Sequence, residues 1–205
     1  MSRDEIESEL ASLRARVGEL EARLQTMTPA EPAPAFYWPY HVLAGASLGI
    51  FGAATSLLFN IVGSLLVGQH PLQLIRVYLT FPMGADALKE GGSGFILAIG
   101  CCLYLITGMA LGVLFHLVLR RLPPDTTFRG RFAVVSVLAT VVWLINFYGI
   151  LSWLQPLLFG GRWIVDMIPW WVGLLTHLVF GWTMLLVQPL GSYEPFVAPP
   201  SPEAS

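Results

Sequence analysis

Four histidines are the side chains of this sequence best suited to chemistry, and two of them sit on glycine stripes inside long apolar runs. His116 follows Gly108 and Gly112 at four-residue steps, and His177 stands between Gly173 and Gly181 at the same step. Residues four apart share a helix face, and glycine on that face lets a flat cofactor or another backbone come close. Such an arrangement offers haem b ligation or contact with a quinone, and a haem needs two imidazoles at one depth on facing helices. His41 and His116 fall near the same edge of their runs, which leaves them as one pair. His177 lies about 13 Å from the level of His116, more than two helical turns away, and would have to meet its own symmetry mate across a two-fold axis. His70, beside Pro71 in a connecting stretch, carries less weight. The competing reading is of packing histidines that donate to helix carbonyls or to Asn and Thr, with no cofactor at all.

Nothing else in the chain points to catalysis. There is no phosphate-cradling glycine loop, no His-x-x-Glu-His metal helix and no nucleophile beside a base. Cys101 and Cys102 are adjacent in an apolar run, which is poor geometry for a disulfide and unlike any zinc spacing, so they read as small packing residues. The apolar runs hold no Asp, Glu, Lys or Arg, the groups that mark proton relays and ion pathways. A pump or an ion-coupled transporter is therefore disfavoured, and the chain is expected not to be an enzyme.

The elements that must position these residues are membrane helices. Of the 205 residues 55% are hydrophobic and 12% charged, about half the usual charge fraction of roughly a quarter, too little polar material for a soluble domain. Four apolar runs, at about 41–68, 95–119, 132–158 and 168–187, each match or exceed the ~20 residues that cross a hydrocarbon core. The net charge of −2 says nothing about nucleic acid, because seven acids and four arginines crowd into the first 31 residues. There Ile6, Leu10, Leu13, Val17, Leu20, Leu24 and Met27 alternate steps of four and three, the seam of a coiled coil over 1–28. In a parallel pair Glu9 would face Arg14 and Arg16 would face Glu21, so self-association is the natural reading; the alternative is an amphipathic helix lying on another surface. Residues 29–40, with four prolines, read as an extended linker, and 189–205 as a disordered tail.

The membrane part, 41–188, reads as two copies of one helical hairpin. Leu58, Asn60, Gly63, Leu65, Gln69 and Pro71 are matched by Leu144, Asn146, Gly149, Leu151, Gln155 and Pro156; Leu105, Thr107 and Gly112 by Leu174, Thr176 and Gly181. Two spans per copy make the repeats parallel, related by an axis along the membrane normal. The expected fold is thus all-α, a four-helix transmembrane bundle of two parallel-repeat hairpins preceded by a short cytoplasmic coiled-coil helix. Gly45, Gly49, Gly108, Gly112, Gly173 and Gly181 are expected to let helices approach, and Asn60 and Asn146 to bond across to neighbours. Arg120, Arg121, Arg129 and Arg131 between spans two and three place that loop and both termini in the cytoplasm. The apolar segment 72–81 is either interfacial or re-entrant.

Asn60, Gln69, Pro71, Asn146, Gln155, Pro156, Pro169, Trp170 and His177, in the stretches from Ser56 to Arg76 and Asn146 to Met184, resemble small four-span bacterial inner-membrane proteins from haem-copper-oxidase-type gene surroundings. The resemblance covers the membrane part and implies an accessory or assembly subunit of a respiratory complex. The expected function is a non-enzymatic, self-associating membrane scaffold whose partners are the bilayer, itself and other membrane subunits, with no nucleic acid. The alternatives are a small haem-b-binding or quinone-handling electron-transfer protein and a transporter of a neutral solute, the last needing a cavity near Asn60 and Asn146.

Overall fold

The computed structural model describes residues 3–26, 34–89 and 94–192. All regular elements among them are helical. Two compact units, Met1–Tyr40 and His41–Ser205, make up the chain.

The first unit contains α1, Arg3–Thr26. Glu19 pairs with Arg23 one turn on, at 2.7 Å, and Leu10, Leu13, Val17 and Leu20 are 46%, 56%, 53% and 55% exposed. The side chain of Leu24 and the whole of Met27 and Thr28 lie outside what is described, as do residues 29–33 of the expected linker. That linker is shorter than expected, because α2 runs over Pro34–Leu66 with Pro39 inside it. Proline at the first helical position loses no bond, since its missing N–H would be an orphan there anyway, and Pro39 forfeits only one.

In the second unit α2 continues to a stop at Gly68, whose φ of 70° is the left-handed conformation glycine adopts freely. α3 is Gln73–Met83, followed by a 3₁₀ turn, Gly84–Leu88. α4 is Gly94–Arg120 and α5 is Phe128–Leu144, started by the Thr127 side chain accepting from the Gly130 N–H. The span of α5 carries on through a π-helical segment, Ile145–Leu151, into α6, Ser152–Phe159. α7 (Trp163–Met167), α8 (Trp170–Val187) and a 3₁₀ turn at Gln188–Gly191 complete the described chain. Four helical stretches, Trp38–Leu66, Gly94–Arg120, Phe128–Phe159 and Trp170–Gly191, are long and apolar enough to cross a membrane, with mean hydropathy from 1.6 to 2.2. Leu58, Leu65, Phe95, Ile106, Val137, Leu157 and Leu186 on these stretches are exposed, a surface suited to lipid and not to water. The chain is an all-α, multi-pass membrane protein.

Close backbone approach joins the first hairpin, and glycine against side chains joins the second. A Cβ on Gly112 would fall on the Gly45 carbonyl oxygen and the Gly49 backbone, and one on Gly108 would meet Ala53 and the Gly49 carbonyl. The counterpart of Gly112, Gly181, packs against Val135 and Ala139, which stand to Gly49 and Ala53 as Asn146 stands to Asn60. α2 lies on α4 and α5 on α8 through matching positions. Phe115, Phe180, Leu48 and Met184 fill the space between the hairpins.

The first hairpin alone contains α3, the segment that carries 72–81. Its Ile75, Val77, Leu79 and Thr80 are buried, with Ile75 and Leu79 seated over Gly100. Tyr78 reaches Thr107 at 2.5 Å, about 20 Å along α4 from its start by helix rise. α3 is thus a full helix packed on protein alongside a span, where its backbone bonds are satisfied internally.

The residues 189–191, expected in a disordered tail, are instead held. Gly191 is buried against Leu48 and His116, and Gln188 is 6% exposed and bonded to His116. The remainder of that tail, from 193 on, lies outside the described residues.

Candidate functional site

The π-helical segment is where the second hairpin departs from regular geometry. Two side chains donate to backbone carbonyls of this segment, where lipid offers no donor. The Ser152 hydroxyl donates to the Tyr148 carbonyl at 2.6 Å, and the Trp153 indole N–H donates to the Gly149 carbonyl. Asn146, Phe147, Ile150 and Leu151 of this segment line a cavity of about 280 Å³ between α2, α3, α4 and α8. Its aromatic walls are Tyr78, Phe81, Tyr104, Phe147 and Phe180, and its further polar groups are Ser56, Thr107, Thr176 and His177. Among the described residues no Asp, Glu, Lys or Arg lines it.

The hydrogens of this cavity can be assigned in turn. His177 Nδ1 lies 2.8 Å from the Gly173 carbonyl, which can only accept, so Nδ1 carries the proton. Its Nε2 then accepts from the Asn146 amide nitrogen at 3.4 Å. Thr107 donates to the Leu103 carbonyl at 3.0 Å, so Tyr78 donates to Thr107. Ser56 likewise donates to the Ala53 carbonyl at 3.0 Å, so Tyr104 donates to Ser56 at 2.9 Å.

A second cavity of about 360 Å³, lined by Gly63, Ser64, Gln69, Gln73 and Trp171, lies toward the Gly68 end. Leu74 and Ile168 border both cavities, while Asn60 lines the second and Thr176 the first. The Asn60 amide donates to Thr176 Oγ1 at 2.9 Å and to the Ser56 carbonyl at 2.8 Å, so this pair forms part of the wall between them.

No family model, curated protein or solved structure matches this chain. What the site can do follows from its own atoms. Asn60 and Asn146 do not meet each other; they bond to consecutive residues of α8, Thr176 and His177. By the repeat, the counterpart of the Asn60–Thr176 bond would join Asn146 to Thr107. That bond is not made. α3, which the second hairpin lacks, brings Tyr78 to Thr107, and His177 occupies the position where the first copy has Gly108. Asn146 and Thr107 both line the cavity that takes the place of the bond.

The haem candidates do not fit a haem. His41 and His116 are brought together, but ring to ring: His116 Nδ1 donates to Gln188 Oε1 at 3.1 Å, and His41 Nδ1 donates to His116 Nε2 at 3.3 Å. Two iron–nitrogen bonds of about 2 Å would set those nitrogens about 4 Å apart with a macrocycle between them. His177 has both ring nitrogens engaged within its own protomer. No group of three or more His, Cys, Asp or Glu among the described residues could hold a metal ion.

Three further polar residues escaped the sequence reading. Gln188 closes the expected membrane part with no role assigned to it, and Tyr78 and Tyr104 lie in apolar stretches where aromatic residues are common. Gln155 looked equivalent to Gln69, yet Gln69 is exposed while Gln155 is wholly buried. Its amide donates to Thr80 at 2.9 Å and its oxygen accepts from the Ile164 N–H at 3.1 Å. Trp143 Nε1 is the buried side-chain polar atom without a partner among the described residues, lying beside Gly173 on the cavity wall.

Proposed function

We propose that this chain is a non-enzymatic, self-associating membrane scaffold, an accessory or assembly subunit of a larger complex in a bacterial inner membrane. The observation that carries the reading is the seam of α1, an apolar stripe left about half exposed on a 24-residue helix. Alone, a helix of this kind is marginal in water; a second copy would cover the stripe, with Glu9 facing Arg14 and Arg16 facing Glu21 across it. The arginines at 120, 121, 129 and 131 support placing both termini in the cytoplasm, where the zipper would join copies or receive a subunit. The likeness to four-span proteins of respiratory surroundings is the support for a respiratory complex as the setting.

The test is the mass of the detergent-solubilised chain. Leu13→Glu with Val17→Glu puts charge into the seam without touching the membrane unit. We expect the assembled mass to fall to that of a smaller species, as it should on removing residues 1–28. An unchanged mass in both would end the zipper's role.

A second reading, a protein that handles a small neutral ligand inside the membrane, is favoured by the cavity at Asn146 and His177. It covers the quinone and neutral-solute alternatives. The haem alternative lacks a fitting ligand pair, and purified protein should show no Soret band.

A further inference from the structure

We propose that the cavity beside the π-helical segment binds an uncharged aromatic alcohol, a phenol or hydroquinone type of head group, and prefers it to the corresponding ketone or ether. Three features of the site define that class. With no charged residue on its wall, a charged ligand would meet no compensating partner in a low-dielectric site. The walls are predominantly aromatic and aliphatic, so a flat ring buries its faces against Tyr78, Tyr104, Phe147 or Phe180. A volume of about 280 Å³ suits a small substituted ring rather than a macrocycle.

Hydrogen-bond polarity adds a fourth feature. Tyr78, Tyr104 and His177 each have their single proton committed to the protein, to Thr107, Ser56 and the Gly173 carbonyl. What the tyrosine oxygens retain is accepting capacity, and the Asn146 carbonyl oxygen makes no bond to the described residues. An incoming hydroxyl supplies the donor these oxygens lack. A ketone or an ether would face them acceptor to acceptor, with the second Asn146 amide hydrogen as its main recourse. Sites built to bond a substrate hydroxyl reject the analogue that lacks it, because their own polar groups stay unpaired. The repeat explains why such a site exists in one place: the bond that would have joined Asn146 to Thr107 is absent, and the ligand would take up the capacity left over. None of this depends on whether α1 joins copies.

The experiment uses the full chain in nanodiscs of a neutral phospholipid, with binding followed by equilibrium dialysis. The probes are trimethylhydroquinone kept reduced by ascorbate, its dimethyl ether and its oxidised quinone. The expected result is one saturable hydroquinone site per chain, with the ether and the quinone each at least about tenfold weaker. Tyr78→Phe and Asn146→Leu should each weaken hydroquinone binding by roughly tenfold, and Tyr78→Phe, which removes only an acceptor, should leave the weak ether binding as it was. Helical circular dichroism and a monodisperse elution establish that each variant folds; should Asn146→Leu fail, Tyr78→Phe, which removes a single oxygen, decides alone. Equal affinity for hydroquinone and ether, preference for the quinone, no saturable binding, or undiminished affinity in the folded variants would each overturn the proposal.

Discussion

Gly112→Leu will abolish the monodisperse membrane domain in mild detergent, while Gly63→Leu will leave it intact. Both glycines lie in membrane helices of similar composition, and they differ in what a side chain would meet. At Gly112 the first added carbon lands on the Gly45 carbonyl oxygen and on Gly49 N and Cα. These are backbone atoms on the facing helix, so no rotamer change relieves the overlap and the helices themselves must part. Overpacking in a well-packed interior costs about 1–3 kcal/mol and occasionally more, and a full leucine between two backbones belongs at or above the top of that range. The loss also extends along the seam, because Gly49 and Gly108 are in the same contact. At Gly63 nothing lies within 4 Å of the new carbon. Size-exclusion elution and the thermal midpoint of the purified variants read the difference; equal behaviour would show that the glycine contact does not hold α2 to α4.

The second large effect is expected at Gln155. Gln155→Ala should lower stability by about 2–5 kcal/mol, against a change within about 0.5 kcal/mol for Gln69→Ala, its repeat counterpart. Truncation strands the Ile164 N–H and takes away the donor that Thr80 accepts, in surroundings where Gln155, Thr80 and Ile164 are all buried. An orphaned buried donor costs the full desolvation of that group, about 1–3 kcal/mol, and the hole left by the side chain adds to it. Gln155→Met, which fills the volume but bonds to nothing, should recover only the packing part. Denaturant or thermal unfolding in detergent measures all three, and a Gln155→Met variant as stable as the parent would remove the hydrogen bonds from the account.

The contrast between Gln69 and Gln155 also marks where the sequence stops being legible. Apolar runs report spans because bilayer thickness alone fixes their length, and the four runs coincide with the four long helices to within a few residues. Glycine spacing was readable for the same reason: only the smallest residues permit helix backbones to touch. A pair of glutamines at matching positions carries no sign of which one will be covered, because that depends on α3 and α7, elements that share no sequence pattern with the spans. The linker prolines misled in a related way. Proline forbids helix only where an N–H is required, and at the head of α2 none is, so the helix starts at Pro34. His41 and His116 were rightly placed at one end, yet whether two imidazoles face a cofactor or each other is decided by a third residue. Gln188, the first residue after α8, accepts from the His116 Nδ1–H and leaves Nε2 to face His41. The π-helical segment has no composition of its own, and the cavity beside it comes from a bond the repeat leads one to expect and the chain does not make.

The wall at Asn60 and Thr176 has a kinetic meaning. Interhelical polar contacts in membranes average only about 0.6 kcal/mol and seldom pass about 2 kcal/mol, so a partition closed by such a contact opens often on the timescale of helix motions. A molecule in the inner cavity that left toward the Gly68 end would do so at the frequency with which that contact breaks and Leu74 and Ile168 swing aside. How often an occupant passes from one cavity to the other would then be set at Asn60, apart from the groups that decide which occupant the first cavity takes.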